Sequence, residues 1–342
     1  MTRGAELLER TAFAMVTPGK GILAIDETAG TCTKRFDELG IESTPDSRRA
    51  YRELLLTAPG LADYISGAIL VDETFRQMAS DGRPMVSVAR DAGILPGIKV
   101  DTGARPLAGA PDETVTEGLD RLRERLEEYG RMGAAFTKWR AVIRIGPGLP
   151  TRRCIVANTH ALSRYAALVQ EAGLIPIVEP EVLMNGDHDI HRCQEVTEEV
   201  LRAVFDELAI QRVLLEGIVL KPNPVTPGSE ATEEAPAAQI AAYTLMTLRR
   251  CVPAAVPGIA FLSGGQTGEE ACENLGLMAA TDGLPWQLTF SFGRALQYPA
   301  LGIWGGSPDN VPAAQAALLH RARMSSMARS GSYTRKEERA AA

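Results

Sequence analysis

The sequence has few of the residues that build disulfides and metal sites. Its five cysteines are widely spaced and form no Cys-x-x-Cys pair, which argues against a disulfide framework or a zinc knuckle and favours reduced thiols. Only four histidines are present. His188 and His191 lie three residues apart in GDHDIH, a spacing that can share a helix face, but no strand-end histidine converges on them. We therefore interpret GDHD as a helix start and predict a site without metal or other cofactor.

Long apolar runs are also absent. No stretch approaches the roughly 20 apolar residues of a membrane span. The first residues, MTRGAELLERTAFAMV, contain Glu6, Glu9 and Arg10 and therefore lack the continuous apolar segment of a secretory signal. The net charge of -7 argues against a nucleic acid or an anionic membrane as the main partner. We predict a cytoplasmic protein, in which a basic pocket inside an acidic chain is still possible.

Short apolar, β-branched runs alternate with longer amphipathic stretches along the chain. Eight such strand-like runs alternating with helical patterns are typical of the α/β class, and they favour a closed parallel (β/α)₈ TIM barrel with outer helices over an open sheet. We predict one catalytic domain over residues 1–342, with a core at about 18–328, an added N-terminal helix at 1–17 and a mobile polar tail at 329–342. The predicted strands are 21–26, 64–71, 95–100, 134–142, 174–180, 213–222, 258–265 and 286–294.

The clearest helical pattern is DETVTEGLDRLRERLEEYG, residues 112–130. Its apolar residues recur at steps of four and three, which predicts an outer helix of the barrel. These positions are Val115, Leu119, Leu122, Leu126 and Tyr129. Further helices are predicted at 188–209, 235–252 and 309–328, the first beginning at the acidic GDHD.

Charged residues interrupt the strand run AAFTKWRAVIRI, residues 134–145. Alternation places Phe136, Lys138 and Arg140 on one face and Thr137 and Trp139 on the other. Polar residues recur at the carboxyl ends of six of the other seven predicted strands, where barrels build their active sites. One such residue alone is usually a solvated rim group, but the repeated register favours a site. The set is Asp26, Lys99, Lys138, Arg140, Glu179, Lys221, Ser263 and Arg294.

These residue types suit covalent chemistry on a carbonyl. A lysine with a pKa of about 10.4 is almost fully protonated at pH 7 and attacks a carbonyl poorly. Neighbouring cations and desolvation lower such a pKa, and we expect Lys138, Arg140 and Lys221 to act on one another in this way. Glu179 is the candidate proton shuttle. Schiff-base catalysis follows as the hypothesis.

Two glycine-containing loops are candidate anion sites. Gly264 and Gly265 lie between a predicted strand and a helix, so their N–H groups and the Ser263 hydroxyl can bind a phosphate. Gly293 and Arg294 offer an amide and a guanidinium after the last strand. The loops after the seventh and eighth strands are the usual phosphate site of such barrels.

Seven motifs carry a family resemblance: PGKGILAIDET, GIKVD, FTKWR, PIVEPE, LLEGIVLKPN, FLSGGQ and FSFGRALQ. Together they span nearly the whole chain, which resembles the class I fructose-bisphosphate aldolases. The resemblance implies that Lys221 forms the Schiff base with the ketone of fructose 1,6-bisphosphate. It implies that Glu179 is the main acid and base, with Lys138 assisting, and that Asp26 takes the proton from the hydroxyl on the fourth carbon.

The resemblance also implies the phosphate contacts. Arg140 points toward the anionic sugar. Thr28 and Thr31 keep the hydroxyls of serines found in relatives, and Phe292 replaces a tyrosine. The phosphate nearest the ketone is assigned to Ser263, Gly264, Gly265, Ser291, Gly293 and Arg294, and the other phosphate to Lys99, Arg35, Thr28 and Thr31.

The resemblance implies a homotetramer acting in glycolysis and gluconeogenesis. Many relatives carry a C-terminal tyrosine, which this sequence lacks, so the preference for a bisphosphate over a monophosphate is left open. Two alternatives are a Schiff-base aldolase for another phosphorylated ketose and a catalytically silent barrel used as a scaffold.

Overall fold

The computed structural model describes residues 3–340 and forms a barrel. Within these residues, eight parallel strands close in the order β1-β2-β3-β6-β7-β8-β9-β10, with β10 paired to β1. The strands are β1 Gly21–Ile25, β2 Ile65–Leu70, β3 Leu95–Lys99, β6 Phe136–Ile143, β7 Ile175–Val182, β8 Val219–Leu220, β9 Gly258–Phe261 and β10 Gln287–Phe292. The predicted TIM barrel is confirmed, with every predicted strand present and the sixth reduced to two residues after a short 3₁₀ turn.

Helices surround the barrel, and α2, α3, α7, α8 and α10 begin at a Thr or Asp side chain that caps the helix. Asp189 accepts a hydrogen bond from Arg192 N at 2.7 Å, so the acidic start predicted for the helix at 188–209 is confirmed. The helices are α1 Arg3–Met15, α2 Ala29–Asp37, α3 Pro45–Leu56, α4 Asp72–Arg76, α5 Met85–Asp91, α6 Leu122–Met132, α7 Arg152–Glu171, α8 Ile190–Ile210, α9 Ala237–Cys251, α10 Gly268–Ala279, α11 Arg294–Trp304, α12 Val311–Arg329 and α13 Arg335–Ala340. None of the helices in residues 3–340 has the length and apolarity needed to cross a membrane.

The barrel interior is packed at the end opposite the strand carboxyl termini. Phe136 lies among small and aliphatic side chains there, and a Cβ on Gly97 would overlap its ring. The added N-terminal helix is confirmed as α1, which packs Leu8 and Ala12 onto the same cluster. Because this end is filled, the open end of the barrel is left for a site.

The helix predicted at 112–130 is wrong in its first half. Residues Gly103–Leu107 (β4) and Ala110–Glu117 (β5) form an antiparallel hairpin instead, and α6 begins only at Leu122. The β-branched run from Thr114 to Thr116 favours a strand. The strand ends before Gly118, whose φ of +130° favours glycine. The hairpin is tied to the barrel because Thr116 Oγ1 donates to Arg140 O at 2.7 Å.

The tail predicted at 329–342 begins with the last residue of α12 and carries the short helix α13 in its described part. Glu338 on α13 pairs with the buried Arg321 guanidinium and accepts a hydrogen bond from Tyr333 OH at 2.9 Å. Arg329, at the end of α12, is buried and donates to backbone carbonyls of the loop before β1. These buried partners explain why a polar sequence packs here. Residues 341–342 of the prediction lie outside the described residues.

Candidate active site

The carboxyl ends of the barrel strands open into a cavity of about 520 Å³. The predicted site residues line this cavity, with the exception of Gly265, which lines an adjoining cavity together with Arg294. The residues that share the main cavity are Asp26, Thr28, Thr31, Arg35, Lys99, Lys138, Arg140, Glu179, Lys221, Ser263, Gly264, Ser291, Gly293 and Arg294. The strand-end register therefore does converge on one place.

Two lysines and two carboxylates form a chain of contacts at the base of the cavity. Lys221 Nζ lies 3.1 Å from Glu179 Oε1, and Lys138 Nζ lies 3.1 Å from Glu179 Oε2. Lys138 Nζ also lies 2.7 Å from Asp26 Oδ2. Each side chain comes from a different strand or strand end, and all four are buried or nearly so. Glu179 thus lies between the two amino groups, where it can exchange protons with either.

The expectation that the cations lower one another's pKa is wrong for Lys138 and Arg140. Burial opposes the charge of Lys138, but the carboxylates of Asp26 and Glu179 outweigh it, so the pKa of Lys138 is raised. Burial likewise opposes the charge of Arg140, whose pKa is raised by its ion pair with Glu181. The acids that lie beside these cations therefore outweigh the repulsion between the cations.

The two buried carboxylates show the complementary effect. Burial alone raises the pKa of Asp26, but Lys138 and Lys221 outweigh it, and the pKa of Asp26 is lowered. The pKa of Glu179 is lowered for the same reason, with Arg140 contributing. Both acids are therefore ionised at neutral pH.

These shifts predict acid sensitivity. A carboxylate whose pKa is lowered by folding stabilises the protein above its unfolded pKa, about 4, and loses that effect as pH falls. The free energy of unfolding is expected to decrease between about pH 5 and pH 3, and Asp26→Asn is expected to make the decrease shallower. Urea unfolding at a series of pH values measures this. If the free energy of unfolding of Asp26→Asn falls with pH as steeply as that of wild type, the prediction is contradicted. Glu127→Gln, at an exposed position, is the control.

The loops after β9 and β10 present backbone N–H groups to one side of the cavity. Gly264 and Gly265 adopt φ values of +57° and +93°, which favour glycine. Gly293 caps α11 without a side-chain hydrogen bond. Ser291 Oγ is buried and has no hydrogen-bond partner within residues 3–340. Unused donors at a helix start, beside the Arg294 guanidinium, suit a phosphate.

A second group of cations lines the same cavity, and each is paired with an acid outside the set of predicted site residues. Lys99 Nζ lies 2.5 Å from Asp101 Oδ1, and Arg35 Nη1 lies 2.5 Å from Glu27 Oε1. Thr28 caps α2 by accepting from Thr31 N at 3.3 Å. Glu27 and Asp101 each lie within two residues of a predicted site residue. This closeness in sequence is the feature from which both acids could have been predicted.

The histidines do not join a metal-ligand group. His188 is buried ahead of α8, while His191 lies on α8 with its ring 5.2 Å from that of Tyr243. Across residues 3–340, no group of three or more His, Cys, Asp or Glu side chains has an arrangement that holds a metal ion. The five cysteines are buried and unpaired, as predicted.

The comparisons with known proteins agree with one another. A family model described as fructose-bisphosphate aldolase class-I matches residues 6–342. The chain belongs to this family. It is 55% identical over 329 residues to a probable fructose-bisphosphate aldolase class 1 of Xanthomonas campestris, covering 96% of this chain and 98% of the relative. It is 53% identical over 331 residues to fructose-bisphosphate aldolase 5, cytosolic, of Arabidopsis thaliana, covering 96% and 92%.

A solved structure gives the same family. The fructose-bisphosphate aldolase from Plasmodium falciparum, in complex with TRAP and a small molecule inhibitor, superposes with a TM-score of 0.96. The two chains are 46% identical, and the match covers 98% of this chain and 97% of that one. The predicted family, metal-independent lyase class and barrel of this class I aldolase are thereby confirmed.

Proposed function

We propose that the chain cleaves fructose 1,6-bisphosphate reversibly to dihydroxyacetone phosphate and glyceraldehyde 3-phosphate through a Schiff base on Lys221. The observation that carries the proposal is the buried contact chain in which Glu179 lies 3.1 Å from both Lys221 and Lys138, with Asp26 at its far end. This arrangement supports the roles of Lys221 as nucleophilic amine, Glu179 as proton shuttle and Asp26 as second base.

Imine formation uses the inner part of this chain. The Lys221 amine loses a proton to Glu179 and attacks the ketone carbon, forming a carbinolamine. Glu179 returns a proton to the departing hydroxyl, which leaves as water, and the iminium forms. Lys138, held between Glu179 and Asp26, keeps both acids ionised and oriented.

Carbon–carbon cleavage uses Asp26. Its carboxylate takes the proton from the hydroxyl on the fourth carbon, the bond between the third and fourth carbons breaks, and the electron pair moves into the iminium. Glyceraldehyde 3-phosphate leaves, and an enamine remains on Lys221. Protonation of the third carbon and hydrolysis of the resulting iminium release dihydroxyacetone phosphate and free the lysine.

The two phosphates are assigned to the two groups of donors. The phosphate nearest the ketone binds the loops after β9 and β10, at Ser263–Gly265 and Ser291–Arg294, and the remote phosphate binds Lys99, Arg35, Thr28 and Thr31. Arg140, paired with Glu181, faces the sugar hydroxyls between them. The cavity of about 520 Å³ accommodates a six-carbon bisphosphate.

Gly265→Ala tests the first phosphate assignment. A Cβ at this position would lie 3.3 Å from Met184 Sδ on a backbone with φ +93°. We expect a loss of about 1–2 kcal/mol in the free energy of unfolding. We also expect KM to rise about tenfold, because the loop N–H groups shift. Urea unfolding and steady-state kinetics measure these, and an unchanged KM would contradict the assignment. Gly302→Ala, with no atom within 4 Å, is the control.

Substrate profiling tests the overall proposal. Purified enzyme is assayed on fructose 1,6-bisphosphate and on other phosphorylated ketoses, with and without a metal chelator. We expect cleavage of fructose 1,6-bisphosphate that the chelator leaves unchanged. Strong cleavage of another ketose with none of fructose 1,6-bisphosphate would favour the alternative substrate, and no cleavage at all would favour a scaffold.

We also propose a homotetramer in the cytoplasm, built from one catalytic domain per chain. Exposed apolar side chains on outer helices, such as Val156 and Ile210, support an interface, and the relatives named cytosolic support the location. Light scattering should give a mass four times that of the 36.7 kDa chain. Cell fractionation and limited proteolysis test the location and the domain organisation.

A further inference from the structure

Glu27, the residue after Asp26, joins three helices through one carboxylate. Its Oε1 accepts hydrogen bonds from Arg35 Nη1 of α2 at 2.5 Å and from Gln297 Nε2 of α11 at 2.8 Å. Its Oε2 lies 2.7 Å from Arg52 Nη1 of α3. The side chain is only 7% exposed, so these partners fix its position.

The two arginines around Glu27 have different surroundings. Arg52 is buried away from the cavity, and its Nη2 donates to Glu27 O at 3.2 Å. Arg35 lines the cavity beside Thr28. Its guanidinium carbon lies 5.5 Å from the centre of the Tyr298 ring, which also lines the cavity. The Arg35 guanidinium is therefore held by a charged hydrogen bond and by an aromatic face.

We propose that Glu27 and Tyr298 are positioning residues that hold Arg35 for the phosphate remote from Lys221, and that they thereby set the preference for a bisphosphate over a monophosphate sugar. The inference rests on the proposed function. A planar guanidinium binds phosphate through two N–H groups in a fixed fork, so its direction matters. A side chain ordered before binding loses less conformational entropy when the ligand arrives.

A charge effect predicts the opposite outcome. The Glu27 carboxylate repels a phosphate, so its removal would strengthen bisphosphate binding if charge alone decided. Glu27→Asp keeps the charge but shortens the side chain by one methylene, whereas Glu27→Gln removes the charge and keeps the shape. If Glu27 acts by positioning Arg35, both variants should weaken the preference for the bisphosphate over the monophosphate sugar.

The test compares kcat/KM for fructose 1,6-bisphosphate with kcat/KM for fructose 1-phosphate, which lacks the remote phosphate. We expect the ratio to fall about tenfold in Glu27→Asp and Glu27→Gln, the effect of losing one charged hydrogen bond. We expect this ratio to fall only about threefold in Tyr298→Leu, since the ring is partly exposed. The change is expected in KM for the bisphosphate. Glu53→Gln, an acid on α3 paired with Arg49 outside the cavity, should retain the wild-type ratio.

An unchanged ratio in Glu27→Asp, or a raised ratio in Glu27→Gln, would overturn the inference. An equal loss on both sugars would do the same, because it indicates a structural role. Should the Glu27 variants fail to fold, Tyr298→Leu decides alone, since that side chain is 43% exposed, and a wild-type ratio there rejects the inference. Wild-type enzyme that cleaves neither sugar rejects the proposed function first and the inference with it.

Discussion

Lys221→Ala is expected to lower kcat/KM for fructose 1,6-bisphosphate by about 10⁴-fold or more. In the proposed mechanism this amine forms the covalent intermediate. Lys138 is the nearest alternative amine, but its Nζ is held by both Asp26 and Glu179, and its raised pKa keeps it protonated. Steady-state kinetics on purified variants measure the effect.

The control for this variant is Lys336→Ala, which removes an exposed lysine that does not line the cavity. It should retain wild-type kcat/KM. A residual activity in Lys221→Ala within tenfold of wild type would contradict the assigned role, because another residue would then supply the nucleophile. Circular dichroism and urea unfolding establish that both variants are folded.

Lys138→Met is expected to lower both stability and activity. The change leaves the buried Asp26 carboxylate without its nearest cation, and breaking a buried ion pair costs about 3–5 kcal/mol in the free energy of unfolding. Without Lys138, burial raises the pKa of Asp26, so the acid becomes protonated more easily. The deficit in stability should therefore shrink as the pH falls from 7 to 5. We expect kcat to fall about 10²-fold or more, because the proposed mechanism uses the ionised Asp26 as a base.

Urea unfolding at both pH values, at one fixed protein concentration, measures this prediction. Arg123→Met is the matched control, because its ion pair with Glu171 is exposed and should contribute little. A deficit in Lys138→Met that is no larger than in the control, or that is the same at pH 7 and pH 5, would contradict the electrostatic account of this contact chain.

The position of the site could be predicted from the sequence because alternation and parallel strands leave little freedom. Once Lys138 and Glu179 lie on the same face of the neighbouring strands β6 and β7, the closed barrel must bring them together. The phosphate loops were predictable for a similar reason, since Gly264 and Gly265 follow a strand and precede a helix.

The charge balance and the hairpin were not predictable in the same way. Ion pairs such as Arg35 with Glu27 depend on side-chain conformations and on helices distant in the sequence. The sign of the pKa shift at Lys138 depends on acids that only the closed barrel places beside it. In residues 112–130, the spacing of the apolar residues fits a helix throughout. The β-branched residues before Gly118 instead form a strand, which ends at that glycine.

Borohydride trapping with dihydroxyacetone phosphate tests the central claim most directly. The reductant converts a Schiff base to a stable amine, and peptide mass mapping then locates it among Lys20, Lys34, Lys99, Lys138, Lys221 and Lys336. We expect one adduct, on the peptide containing Lys221, and none in Lys221→Ala. An adduct on another lysine, or active enzyme that forms no adduct, would contradict the account.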